Sequence, residues 1–198
     1  MKKKNEIQTI TVIMGHPDEE SFCKGIADSY IEGASHQPVK IHLIELSQLQ
    51  FNPNLQYGYR KRTELEPDLL KAQQMIKDAD HLIFVYPLWW GSVPAILKGF
   101  FDRTLLPNFA YQHKPDSLLW EKRLQGKTAH LIVTMDTPPW YYRFIYGNAG
   151  HRVMKQGVLG YCGIKTVKVT EISPIKTSTE QQRQQWLQKI NKLGSQLA

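Results

Sequence analysis

Five residues with side chains able to do chemistry fall within a stretch of six: His16, Asp18, Glu19, Glu20 and Ser21. They follow an apolar run and precede Ile26, Ala27, Tyr30 and Ile31, which continue at helical spacing. A helix that starts just after a strand offers free backbone N–H groups and the positive end of its dipole, a pairing that suits a phosphate, and the Ser21 hydroxyl adds a donor. The three carboxylates complement the same helix end, which is their ordinary role. His16 and Asp18 are also zinc-ligand types, with a neighbouring carboxylate as base.

A second group is aromatic. Pro87-Leu88-Trp89-Trp90-Gly91-Ser92 and Met135-Asp136-Thr137-Pro138-Pro139-Trp140-Tyr141-Tyr142 each follow a short apolar run. Trp89, Trp90, Trp140, Tyr141 and Tyr142 are suited to a flat apolar slot for a ring system, with loop N–H groups to meet negative charge on that ring. Their structural alternative is to cover the end of the core or a subunit contact.

The elements that must position these loops can be read from periodicity. Ile7 to Met14, Val39 to Leu46, His81 to Tyr86, Thr128 to Thr134 and Thr166 to Ile172 read as strands. Helical spacing follows each of them. After His81–Tyr86 it runs through Val93, Ile96, Leu97, Phe100, Phe101 and Leu105, with Ser92 as N-cap and Pro94 in the first turn. Further helices are expected about Pro67 to Ala79 and His151 to Tyr161, with Gly163 as C-cap, and near Thr177-Ser178-Thr179-Glu180, where Thr177 and Glu180 fit a capping box. Ser47 to Arg62 and Asn108 to Gln125 read as irregular, and Pro138-Pro139 forbids helix or sheet there. Five strands alternating with helices imply a parallel sheet with helices on both faces, which brings loops 15–24, 86–92 and 134–142 to one rim. One loop is suited to a phosphate and two to an aromatic ring. Dinucleotide, P-loop and nucleophile-elbow motifs are absent, so a phosphorylated flavin fits better than a nucleoside triphosphate.

With 41% hydrophobic content, 198 residues make one domain, 1–198, with one well-buried core. The formal charge is +7, but the cations are scattered apart from Lys2 to Lys4 and Arg60 to Arg62, and no nucleic-acid module is visible. Attraction to a small phosphorylated or acidic ligand is the economical reading. Cys23 and Cys162 lie far apart in no metal-type spacing, as expected in a reducing compartment. No signal peptide or roughly 20-residue apolar run is present. The expectation is a cytoplasmic protein without membrane insertion or nucleic-acid partner.

Gly15-His16-Pro17…Ser21-Phe22, Pro87-Leu88-Trp89-Trp90-Gly91-Ser92-Val93-Pro94-Ala95-Ile96-Leu97-Lys98-Gly99…Asp102-Arg103 and Thr134…Trp140-Tyr141-Tyr142…Tyr161-Cys162-Gly163 together resemble the flavin-dependent NAD(P)H:quinone oxidoreductases. The resemblance covers about residues 7 to 165, and the central motif is its most specific part. It implies a flavodoxin-like three-layer α/β/α sandwich with a five-stranded parallel sheet of order 2-1-3-4-5. It also implies a homodimer with active sites at its interface, FMN or FAD as cofactor, and NAD(P)H as hydride donor in a ping-pong two-electron reduction of quinones or similar flat acceptors. By the same resemblance, His16, Ser21, Phe22 and Cys23 contact the phosphate end of the flavin. Pro87, Leu88, Trp89, Trp90 and Gly91 form the ring-binding turn, and Thr134, Asp136 and Thr137 form the third flavin loop. Trp140 and Tyr141 line the substrate pocket, and Tyr142 with His151 are the candidates for a catalytic pair. Two positions depart from the pattern. Cys23 stands where many members have Asn, and Asp136-Thr137-Pro138-Pro139 replaces a glycine-rich turn.

Two other readings stay open. His16-Pro17-Asp18-Glu19 resembles the zinc motif of sugar-amide deacetylases, for which His113-Lys114-Pro115-Asp116 is a poor second element. A flavin-binding regulatory subunit of an ion-efflux system, associated peripherally with a membrane transporter, would share every feature of the fold.

Overall fold

The computed structural model describes residues 8–115 and 117–198. Lys2 to Lys4, the proposed strand start at Ile7, and Asp116 lie outside the described residues.

The five apolar runs form the strands β1 (Thr9–Met14), β2 (Lys40–Glu45), β3 (His81–Pro87), β6 (Thr128–Thr134) and β7 (Lys165–Ile172). They pair in parallel in the order β2-β1-β3-β6-β7, which is the expected 2-1-3-4-5 once two intervening hairpin strands are set aside. β3 is buried along its whole length, as a central parallel strand must be.

Alternation along the strands feeds two apolar layers. Ile10, Val12, Met14, Ile83, Val85 and Ile132 pack on one side against α1 (Phe22–Ser35) and α6 (Glu180–Ser195). Ile13, Leu82, Phe84, Tyr86, Leu131 and Val133 pack on the other against α2 (Pro67–Asp78) and α3 (Ala95–Thr104), with the π-helical segment Val153–Gly160 completing that layer. The result is the expected three-layer α/β/α sandwich.

Several local expectations are corrected. α3 begins at Ala95 with Pro94 as its N-cap residue, so Ser92 is free to close the preceding turn instead. The Asn108–Gln125 stretch contains an antiparallel hairpin, β4 (Tyr111–His113) and β5 (Trp120–Lys122), too short to leave a period-2 signal. Pro139 does not prevent a helix: it opens α4 (Pro139–Phe144) from the first turn, where its missing N–H removes no bond. The His151–Tyr161 helix starts earlier, as α5 (Ala149–Arg152), and loosens into the π-helical segment. The cap of α6 is Thr179, not Thr177, with Gln182 rather than Glu180 closing the capping box.

The irregular stretch after β2 is held from an unexpected place. Arg103, on α3 and 1% exposed, donates Nη2–H to Glu66 Oε2 at 2.7 Å and to the Glu64 carbonyl at 3.0 Å. Its Nη1 donates to Glu66 Oε1 at 3.2 Å and to the Asn52 carbonyl. One guanidinium thus pins both ends of the loop to the core layer.

Candidate functional site

A cleft opens at the carboxyl ends of the central strands, where an open parallel sheet places ligands. It is lined by His16, Ser21, Phe22, Cys23, Pro87, Leu88, Trp89, Thr134, Met135, Asp136 and Ile175. The three loops singled out by sequence therefore converge, and the cleft encloses about 180 Å³.

Backbone hydrogen bonds fix the floor. Gly15 N–H donates to the Val85 carbonyl at 2.7 Å, extending the β1–β3 ladder into the first loop. Leu88 N–H donates to the Thr134 carbonyl at 2.7 Å, tying the second loop to the third. Trp89 and Ser92 exchange both their N–H···O bonds at 2.9 Å, closing a two-residue turn in which Trp90 (φ 51°) and Gly91 (φ 73°) are both left-handed.

In the first loop, Asp18 N–H donates to His16 Nδ1 at 3.0 Å and Glu20 N–H donates to Asp18 Oδ1 at 3.0 Å. The two zinc-ligand types are thus engaged with the loop's own backbone. Burial lowers the His16 pKa, partly opposed by Asp18, so the ring is neutral and accepts that bond. Its ring meets Trp89 edge-on at 5.2 Å. Ser21 is the N-cap residue of α1, yet its side chain makes no cap bond, and its Oγ is buried without a hydrogen-bond partner among the described residues. Cys23 Sγ lies 3.4 Å from Thr134 Oγ1, and burial pushes its thiol up to about 11. It is a packed thiol, protonated at neutral pH.

Of the other expected residues, Asp136 reaches the cleft and the rest stand off it. Trp90 is fully exposed (102%) beside the mouth, because the left-handed backbone turns it outward. Asp136 lines the cleft and also accepts Lys176 N–H at 2.6 Å, while the Thr137 carbonyl accepts from Ser173 Oγ at 3.0 Å, so both brace the chain after β7. Trp140, Tyr141 and Phe144 form an exposed aromatic lip on α4, continued past its end by Ile145 and Tyr146. Tyr142 and His151 are neighbours, ring to ring at 5.1 Å, but both are buried and neither lines the cleft. The Tyr142 hydroxyl donates to the Gly91 carbonyl at 3.1 Å and accepts Gly150 N–H at 2.7 Å; His151 Nε2 is 2.8 Å from Glu171 Oε1.

Sequence reasoning missed Met135 and Ile175 as cleft walls and Tyr146 as the ring over Gly91. The signal for Ile175 was available. The loop after the fifth strand opens at the same rim as the other three.

A family model described as flavodoxin-like fold matches residues 8–194. The chain is 29% identical over 164 residues to an uncharacterized NAD(P)H oxidoreductase of Haemophilus influenzae, covering 79% of each protein. It is 29% identical over 184 residues to a ribosyldihydronicotinamide dehydrogenase (quinone) of Pongo abelii, covering 80% of this chain and 78% of that one. Among solved structures, Smu.1420 of Streptococcus mutans superposes with a TM-score of 0.82 at 34% identity, covering 96% of this chain and 100% of that one. Sheet order, cleft position and a match over nearly the whole chain agree: the chain belongs to the flavodoxin-like fold family.

Proposed function

We propose that this protein is a flavin-dependent NAD(P)H oxidoreductase that reduces quinones or similarly flat electrophilic acceptors by two electrons in a ping-pong cycle. The observation that carries the reading is the cleft itself, where a partnerless buried hydroxyl at a helix N-terminus lies within one enclosure with an aromatic turn. A buried polar atom without a partner is costly unless a ligand satisfies it, and an anionic oxygen at the start of α1 would do so. The residues therefore fit a flavin phosphate.

In this reading His16, Ser21, Phe22 and Cys23 hold the phosphate end, with Ser21 Oγ donating. Pro87, Leu88, Trp89 and Gly91 carry the ring edge, Trp90 guards the mouth, and Thr134, Asp136 and Thr137 close the third side. The enclosed 180 Å³ is below the few hundred Å³ of a complete ligand pocket, so the cleft of one chain holds only part of the cofactor, FMN or FAD. A bound flavin supplies the redox chemistry, accepting hydride from NAD(P)H and passing electrons to the acceptor. The chain's own contribution is positional. Rigid loops hold the ring edge, loop N–H groups face developing negative charge, and the lip of Trp140, Tyr141 and Tyr146 excludes water from the slot.

The same reading takes the whole chain, 1–198, as one cytoplasmic domain, consistent with two buried free thiols. Among the described residues, no helix is long and apolar enough to cross a membrane. It also takes a homodimer, whose second copy would sit on the 550 Å³ groove between α3, the hairpin and the π-helical segment, where Tyr59, Val158 and Tyr161 are mixed with Lys98, Asp102 and His113. The test is anaerobic mixing of flavin-loaded protein with NADH or NADPH, then with benzoquinone. Bleaching by a nicotinamide and colour recovery on adding quinone support the reading. A flavin that neither nicotinamide reduces counts against it.

A further inference from the structure

α4 carries an exposed aromatic lip but is fastened to the rest of the molecule chiefly through one side chain, Tyr142, which is 1% exposed while Trp140, Tyr141 and Phe144 face solvent. Its hydroxyl sits at the meeting point of three chain segments. Its proton is directed at the Gly91 carbonyl, in the left-handed turn after β3, and its oxygen receives the N–H of Gly150 on α5. Gly150 is needed for that approach, since a Cβ there would lie 2.6 Å from the Gly91 oxygen and 2.8 Å from the Tyr142 hydroxyl. On the other side of the turn, a Cβ on Gly91 would stand 3.3 Å from the Tyr146 ring, which is itself 5.7 Å from the Tyr142 ring. The turn holds a non-glycine residue, Trp90, at φ 51°, a conformation that persists only when its surroundings impose it.

We propose that the Tyr142 hydroxyl is a positioning group that locks the Trp89–Ser92 turn to the aromatic lip, so that the cofactor side and the acceptor side of the cleft are held as one unit. The proposal rests on the flavin reading for its functional consequence, but not for its structural one. Tyr142 acts through the turn because its hydroxyl is committed to two backbone groups and does not line the cleft. His151 buttresses the edge of the Tyr142 ring, its own Nε2 anchored on Glu171 at 2.8 Å. Burial raises the Tyr142 pKa despite the backbone donors at its oxygen, which keeps the proton on the hydroxyl.

Two variants test this. Tyr142→Phe keeps the ring and removes the hydroxyl; Gly150→Ala keeps the hydroxyl and forces Gly91 away. Amide hydrogen exchange of the flavin-free protein is read at Ser92 and Gly150, and FMN affinity is read by fluorescence titration. In both variants the lock predicts roughly tenfold faster exchange at Ser92, in Tyr142→Phe also at Gly150, whose buried hydrogen bond is removed, and FMN binding weakened by about tenfold. Unchanged exchange and unchanged FMN affinity in Tyr142→Phe would overturn it. So would those two results combined with slowed flavin reduction by NAD(P)H, the pattern of a proton relay. If the wild-type chain binds no flavin, the functional reading falls while exchange still decides the lock. Should one variant fail to fold, the other carries the test.

Discussion

At the scale of single residues, Ser21 makes the sharpest statement. Its hydroxyl heads α1 without capping it, a forfeited bond that a ligand oxygen would recover. Ser21→Ala should therefore weaken FMN binding by about 1.5 kcal/mol, roughly tenfold, while riboflavin binding changes little, because only FMN carries the charged acceptor. Equal losses for the two ligands in a titration would remove Ser21 from the phosphate site. Trp89 and Trp90 show how far residue type alone carries. Two adjacent tryptophans in a loop pointed correctly to the rim, but which one lines the cleft depends on the left-handed turn at Trp90 and Gly91, which nothing in the pair itself specifies. Trp89→Ala should accordingly reduce flavin affinity severalfold more than Trp90→Gly, which also relieves the strained backbone; the two dissociation constants, compared side by side, check the assignment.

At the scale of elements, the five sheet strands were legible as short apolar runs and the main helices by their helical spacing, and the three loops followed from parallel topology. What was not legible depends on long-range contacts. Arg103 reads as one more charge at a helix end, yet it is buried and holds a loop nearly forty residues earlier in the chain. Burial disfavours ionisation of Glu66, but the Asn52 N–H, its own backbone N–H and Arg103 together outweigh it and keep the carboxyl below its ordinary pKa. Arg103→Ala should cost about 3 kcal/mol in urea unfolding at neutral pH, the low end for a broken buried pair because Glu66 is 29% exposed. The sign with pH follows from the depressed folded value. The Glu66 share of this stabilisation is complete above the ordinary Glu pKa of 4.5 and is lost as pH falls through the lower folded one, while the bonds to the Asn52 and Glu64 carbonyls do not titrate, so the gap between wild type and variant should narrow in acid. A gap constant down to pH 3 would show that Glu66 is not the partner that matters. The proline at Pro139 is the complementary lesson. Read locally it ends structure, whereas at the first position of a helix it costs nothing, and only the resulting α4 brings Tyr142 under the turn.

For the whole molecule, the sheet interior sets the acid limit. His81 and His130 are buried in adjacent central strands, and burial lowers both to about 4. His81 Nδ1 pairs with Thr128 Oγ1 at 2.6 Å and its Nε2 has no partner among the described residues, so a second proton would be buried unpaired. His130 is satisfied in its neutral form by Thr170 Oγ1 and the Ala198 carbonyl, each at 2.8 Å. Between pH 6.5 and 4 the unfolded chain binds protons that the folded one refuses, so stability falls as pH falls, by on the order of 3 kcal/mol for each histidine. The melting temperature should drop steadily across that window, and replacing both histidines with Gln should flatten the drop.

The central claim is that this cleft holds a phosphorylated flavin, and the visible absorption spectrum of the purified protein, before and after addition of FMN, tests it most directly. The account predicts perturbed flavin bands that stay with the protein through gel filtration, with stoichiometric uptake of FMN. A spectrum identical to free FMN, with all the colour lost on filtration, would contradict it.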